Sequence, residues 1–268
     1  MGETMRVDTA EVLNVEDEGH VRHLVLDRSE KRNALNGALL IALRDAARAA
    51  AQDTEVRCVV LRGSGSCFSA GIDVFELGGL GNQAQMLRPF RQVCIDAANA
   101  LEEMKKPTVA SIHGACLGLG AELALACDLR VMADDVQFGL PETRLGLIPD
   151  VGGSSRLPAI AGLGNAKYLV MAGQPIGADD AHRMGIANRV ALLASLEDAT
   201  RELVEELLAA SPLAVGLSKG VLDAVSKPTL AASLELEVTT QQTLVGSDDF
   251  REAGAAFMEK RKPSWTGR

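Results

Sequence analysis

Three carboxylates stand in apolar company: Glu122 within Gly120-Ala121-Glu122-Leu123-Ala124-Leu125, and Glu142 and Asp150 within GLPETRLGLIPDVGG, residues 139–153. An ionised carboxylate is costly to desolvate, so acids placed this way are paired or used. Proton transfer beside a developing enolate needs poorly solvated acids together with donors that stabilise an oxyanion. Two stretches rich in small residues offer such donors, Phe68-Ser69-Ala70-Gly71-Ile72-Asp73 and the run from His113 to Glu122. Each can turn backbone N–H groups outward with little side-chain bulk in the way. The second also opens a helix, whose free N–H groups and dipole favour negative charge. A plainer reading stays open beside this one. Glycines after strands are commonly only turns, Glu122 suits a first helical turn, and Arg130, Arg144 or Arg156 could hold the acids as buried ion pairs.

These residues must be positioned by an alternation of strands and helices. His20–Leu26 begins by alternating and predicts a strand, followed by a polar loop from Asp27 to Gly37. Leu39, Leu40, Leu43, Ala46, Ala47 and Ala50 carry a helical period. Val56–Leu61, Pro107–Ile112 and Leu129–Met132 read as further strands, with a short buried helix over Ala121–Cys127. This alternation implies an α/β core of ββα or βα units. From about Leu196 the pattern is helical only, and a soft boundary falls near residue 200.

Composition narrows the function. The 268 residues suffice for one large domain, or for a core with an appended piece. A net charge of −9 speaks against general affinity for nucleic acid or anionic membranes, although Lys31-Arg32 and Lys260-Arg261-Lys262 are local basic clusters. The five cysteines form no C-x-x-C pair, which suggests free thiols in a reducing cytosol. No metal constellation is present, and no G-x-S-x-G elbow pairs with the four histidines. The second glycine-rich turn lacks the G-x-G-x-x-G spacing of a dinucleotide site. The polar start, MGETMRVDTA, does not resemble a signal peptide.

Taken in order along the chain, the motifs resemble the crotonase, or enoyl-CoA hydratase/isomerase, superfamily. They run from Leu26-Asp27-Arg28 and Asn33-Ala34-Leu35-Asn36 through Phe68–Asp73, Lys106–Ala110, Gly118–Glu122, Cys127-Asp128 and Phe138–Glu142. They continue through Gly146–Gly153, Arg156-Leu157-Pro158, Ala178–Gly185 and Phe257–Pro263. The resemblance implies an α/β fold, a ClpP-like spiral of ββα units over residues 1–200, with a helical region at 201–268 that makes trimers, often paired into hexamers. It implies an acyl-CoA thioester as ligand and no cofactor beyond the coenzyme A carried by that substrate. By position, the N–H groups of Ile72 and Leu119 would hold the thioester oxygen, Leu119 narrowing a rim that is often glycine. Coenzyme A contacts would come from Lys31, Arg32, Ala34, Ala70, Gly71, Asp73 and Gly118, and from Phe257 and Lys260, sometimes across a subunit boundary. The acyl pocket would be lined by Gly78–Phe90.

The same resemblance divides the acids between reactions. Glu122 and Glu142 match the hydratase pair, Glu142 delivering the C2 proton and Glu122 orienting and deprotonating water. Asp150 stands where dienoyl-CoA isomerases carry an aspartate base, and Gly71-Ile72-Asp73 is similar to their turn. Asp150 is otherwise a turn residue or the partner of Arg144 or Arg156. Hydration is the leading expectation and double-bond isomerisation the alternative. A non-catalytic acyl-CoA binder leaves two buried glutamates without a use, and an RNA-binding role conflicts with the charge.

Overall fold

The computed structural model describes residues 12–76 and 87–266. The start of the chain and most of the Gly78–Phe90 segment expected to line an acyl pocket lie outside the described residues. The hairpin β1 (Leu13–Glu18) and β2 (Val21–Leu26) leads through a loop into α1 (Gly37–Gln52) and β3 (Cys58–Gly63). Then come α2 (Leu87–Glu102), β4 (Thr108–Ile112), β5 (Ala115–Leu117), α3 (Leu119–Ala126), β6 (Leu129–Ala133) and β7 (Gln137–Gly139). A 3-10 turn (Glu142–Leu145) precedes α4 (Gly153–Ala172), α5 (Ala178–Arg183) and β8 (Arg189–Ala191). Four helices end the chain: α6 (Leu196–Leu208), α7 (Pro212–Ser226), α8 (Leu230–Val245) and α9 (Asp248–Met258).

The main sheet has the order β1-β2-β3-β4-β6-β8, antiparallel only at β1. β5 and β7 pair in parallel as a second, small sheet. Parallel strands covered on both faces read as continuous apolar runs, which is how Cys58–Leu61 and Thr108–Ile112 are built. α1 packs on β1, β2 and α2, while α6 packs on β3, β4, β6 and β8. The Asn36 side chain caps α1 by accepting the N–H of Leu39 at 3.0 Å. α4 is broken at Gly162, whose φ of +77° is non-helical.

The expected strands and the α1 and α3 helices are present, each shifted by a few residues at its ends. β1 lies outside the expected set because LNVEDE buries only Leu13 and shows no alternation to read. The three-residue strands β5, β7 and β8 are too short to carry a period.

Candidate active site

The two glycine-rich turns are laced together. Ser69 and Cys116 form an isolated parallel bridge, with Ser69 N donating to Ala115 O at 2.9 Å and Leu117 N to Ser69 O at 3.1 Å. Gly71, at φ +99°, comes so close to the other turn that a Cβ there would fall 2.8 Å from the Leu117 carbonyl oxygen and 3.7 Å from the Leu119 nitrogen. Among the described residues, neither the N–H of Ile72 nor that of Leu119 donates a hydrogen bond within the chain. The bridge of Ile72 to Leu35 uses the flanking groups instead, Leu35 N to Gly71 O and Asp73 N to Leu35 O. Two uncommitted N–H groups, on turns that approach this closely and one of them opening α3, are thus available to an anion.

Glu122 sits one turn into α3 and is 2% exposed. Its Oε1 accepts the N–H of Val151 at 2.8 Å and of Gly153 at 2.9 Å. Burial raises its pKa, while those two N–H groups and the charges of Arg91 and Arg156 oppose the rise. Glu142 opens the 3-10 turn behind Pro141. Burial first, and the charge of Glu122 second, push its carboxyl well above the usual range. Glu142 Oε2 is buried with no hydrogen-bond partner. Gly118, the residue that starts α3, would place a Cβ 3.0 Å from Glu142 Oε1, so this carboxylate stands at the mouth of the helix that carries Glu122.

Neither glutamate is held by an arginine. Arg130 donates to the carbonyls of Ile186, Ala124 and Cys127. Arg156 is committed to Glu102, Asn99 and the Val151 carbonyl. Arg144 is exposed. The ion-pair reading of the two glutamates is thereby removed.

Asp150 is different. It is 2% exposed and its Oδ2 lies 2.6 Å from Arg91 Nε. Its partner is thus Arg91, not the Arg144 or Arg156 expected from spacing. Arg91 sits on α2, remote in sequence, and nothing local announces the pair. The contact is close but not aligned as a hydrogen bond, and both atoms count as unpartnered. Burial carries the Asp150 carboxyl up to about 7 despite the guanidinium.

Comparison with known proteins gives the family. The model of the enoyl-CoA hydratase/isomerase family matches residues 16–268. The chain belongs to the enoyl-CoA hydratase/isomerase family. It is 33% identical over 252 residues to a crotonyl-CoA hydratase of Syntrophomonas wolfei, covering 94% of this chain and 96% of that one. It is 31% identical over 266 residues to a peroxisomal Delta(3,5)-Delta(2,4)-dienoyl-CoA isomerase of Arabidopsis thaliana, covering 95% and 96%. Among solved structures, the carnitinyl-CoA hydratase of Mycobacterium avium superposes with a TM-score of 0.84 at 34% identity, over 96% and 99% of the two chains. The crotonase fold expected from the motifs is therefore established.

The residues expected to meet coenzyme A fall into two groups. Lys31 and Arg32 are exposed beside Ala34, and Ala70 N donates to Arg32 O at 2.9 Å, which ties this loop to the first glycine-rich turn. The Asp73 carboxylate is occupied by Arg28 at 3.1 Å and by the N–H of Phe75, and its own N–H and carbonyl are taken by Leu35 O and Glu76 N, so the expectation that Asp73 meets coenzyme A is not supported by a free group there. Phe257 and Lys260 lie exposed at the end of α9. The Leu119 side chain is buried in the main apolar core.

One further acid escaped the sequence reading. Glu237 on α8 is 4% exposed, and its Oε2 accepts the N–H of Gly152 at 2.7 Å. Burial, with the Glu122 charge next, raises its carboxyl to about 8. Its helix is amphipathic only weakly, and a glutamate in Leu234-Glu235-Leu236-Glu237 reads as a solvated face.

Proposed function

We propose that the protein is an enoyl-CoA hydratase, adding water across the 2,3 double bond of a 2-enoyl-CoA thioester to give a 3-hydroxyacyl-CoA. The observation that carries this reading is the unequal environment of the two glutamates. Like charges at close range in a dry site do not both ionise, so one acid keeps its proton. Glu122 has two N–H donors favouring its anion, whereas Glu142 Oε2 has none. Glu122 is then the base and Glu142 the acid, the roles expected from the motifs.

Glu122 takes a proton from water through Oε2, its other oxygen being held. The hydroxyl oxygen bonds to C3, and the electron pair of the double bond moves toward the thioester oxygen. The N–H groups of Ile72 and Leu119 stabilise that oxyanion. Glu142 delivers its proton to C2, and the proton on Glu122 restores Glu142 in the next exchange with solvent. The reaction needs no cofactor other than the coenzyme A of the substrate. Lys31, Arg32, Ala34, Ala70, Gly71 and Gly118 line the approach to the turns, and Lys260, just past the end of α9 and near Phe257, supplies a phosphate contact. A passive acyl-CoA binder would have no use for this division of protons.

A second reading has one observation in its favour. Asp150 is buried and carries a carboxyl raised to about 7. It could exchange a proton with the far end of a conjugated dienoyl group, as an isomerase. The Arg91 ion pair weighs against it. Assays of crotonyl-CoA and of a 3,5-dienoyl-CoA separate the two. Loss of the conjugated-thioester absorbance with crotonyl-CoA supports hydration. An inert crotonyl-CoA with a shifted dienoyl-CoA transfers the function to isomerisation.

The proposal extends to the assembly and its setting. Leu213, Leu217, Val221 and Val225, spaced by four on α7, are all exposed, which suits burial against a second copy in a trimer or hexamer. The five buried, unpaired cysteines suit a reducing, cytoplasmic compartment. Fatty-acid-type catabolism supplies the substrate class.

A further inference from the structure

Helix α8 sets two buried polar side chains, Glu237 and Gln241, one turn apart against the loop that carries Asp150. Gln241 Oε1 accepts the N–H of Ile148 at 3.0 Å. Glu237 Oε2 accepts the N–H of Gly152 at 2.7 Å, and its Oε1 accepts the hydroxyl of Ser155. The N–H groups immediately before and after Gly152, those of Val151 and Gly153, both go to Glu122 Oε1. Three successive N–H groups of one loop therefore alternate between two buried carboxylates that reach it from different helices. Gly152 holds a φ of +97°, a conformation that few other residues adopt, and it is this turn of the backbone that sends alternate N–H groups in different directions. Among the described residues Glu237 has no cation partner, so its burial is not explained by an ion pair.

We propose that Glu237 is a positioning residue for the reaction, fixing Gly152 so that the neighbouring N–H groups stay on Glu122 and keep that base ionised and aimed. This rests on the reading of Glu122 as the base of the hydration. It makes α8 part of the catalytic apparatus, with Gln241 as the second grip on the same loop.

Glu122 is faced by charged or titratable groups from every side. Arg91 and Cys94 come from α2, Arg156 from α4, Glu142 from the 3-10 turn, Asp150 from the loop and Glu237 from α8. The two arginines and the two N–H groups favour the Glu122 anion, and each of the three other acids opposes it only at pH values where it is itself ionised. With its carboxyl raised to about 8, Glu237 is protonated across the acid limb, so an amide in its place changes little there, whereas loss of the grip raises the Glu122 pKa, which gives the test its discrimination.

Glu237→Gln keeps an acceptor for Gly152 and removes the charge, whereas Glu237→Ala removes the grip as well. With crotonyl-CoA, the alanine variant is expected to lose about tenfold or more in kcat with KM little changed, as a displaced base would. The acid limb of its pH profile moves to higher pH, while that of the glutamine variant stays. A 13C-carboxyl NMR titration, with the Glu122 resonance assigned from Glu122→Gln, shows the upward shift of the alanine variant and the unmoved midpoint of the glutamine variant without any assay. Ser155→Ala loosens Glu237 without touching its carboxylate. It moves both readouts in the direction of the alanine variant and replaces that variant if it does not fold. Variants that only lower Tm, with acid limb and NMR midpoint at the wild-type values, overturn the proposal. If the NMR midpoints move while the wild type hydrates no 2-enoyl-CoA, the hydration reading falls and the positioning of Glu122 by Glu237 stands.

Discussion

Glu122 Oε1 lies 2.9 Å from the backbone nitrogen of Gly153, so the buried carboxylate of α3 is fastened to the first residue of α4. A Cβ on Gly153 would fall 2.9 Å from the same oxygen and 2.6 Å from Pro149 Cβ. The approach needs glycine for space. Gly153→Ala is expected to shift the carboxylate and lower kcat by about 10²-fold, with the circular dichroism spectrum retained. Wild-type kcat in a folded Gly153→Ala protein would show that the fastening is unimportant.

The two glutamates differ in what their amides should do. Either Glu→Gln change removes one proton carrier and is expected to lower kcat by about 10²–10⁴-fold. The sign of each limb follows from the role. A base must be ionised, so activity falls as pH drops through the Glu122 pKa. An acid must be protonated, so activity falls as pH rises through the Glu142 pKa. Both pKa values are raised by burial, so the bell is displaced upward from the ordinary carboxylate range. Residual activity of Glu122→Gln should lack the acid limb and that of Glu142→Gln the basic one, as pH–kcat profiles will show.

How much of this was legible in the sequence depends on range. Glu122, Glu142 and the two glycine-rich turns lie within motifs whose local spacing carries meaning, and the fold brings them together as read. The Gly118 close approach to Glu142 joins two such motifs. Arg91 sits on the amphipathic α2 and Glu237 on the weakly amphipathic α8, and only tertiary packing turns them inward. Residues whose role comes from another element 59 or 85 positions away (Asp150 with Arg91, Gly152 with Glu237) leave no periodic trace. The short strands β5, β7 and β8 were hidden for a different reason, since three residues make less than two full alternations.

Gly118 tests the other glutamate. It has φ +52° and ψ −126°, a conformation strained for any residue with a side chain, and its Cβ would meet Glu142 Oε1 at 3.0 Å. Gly118→Ala is expected to cost about 1–3 kcal/mol of stability by urea unfolding and to lower kcat as well. A stability loss without a kcat loss would separate the turn from the acid.

Asp150 predicts a pH dependence of stability. Its carboxyl is raised to about 7 in the fold from an ordinary value near 3.8. The folded state thus binds more protons than the unfolded one between those values, so the stabilisation present below about pH 4 is lost as pH rises to about 7. The slope is a few kcal/mol across that window at most, since one unit corresponds to about 1.4 kcal/mol. Urea unfolding at intervals from pH 4.5 to 8 should show stability falling with pH, and Asp150→Asn should flatten the fall. If the aspartate is the isomerase base, the same substitution also abolishes dienoyl-CoA turnover; if hydration is the reaction, crotonyl-CoA turnover survives it.

The α7 stripe leads to a prediction about assembly. The helix meets the core through Gly216, where a Cβ would fall 2.4 Å from the Lys105 carbonyl oxygen. Flanking that contact, Leu213, Leu217, Val221 and Val225 are exposed by 55–77%. An apolar row four residues apart runs along one side of a helix, and on a lone monomer it would be an aggregation liability. Burial of each such side chain contributes about 1.5–3 kcal/mol, so one copy's row is enough to matter for association. Sedimentation of the wild type should report an oligomer. Leu217→Asp with Val221→Asp should shift it to monomer, since two carboxylates would have to be buried without partners. If Lys260 reaches the coenzyme A of a neighbouring subunit, that monomer also shows a raised KM for the thioester. A double variant that keeps the wild-type sedimentation coefficient would place the subunit contact elsewhere.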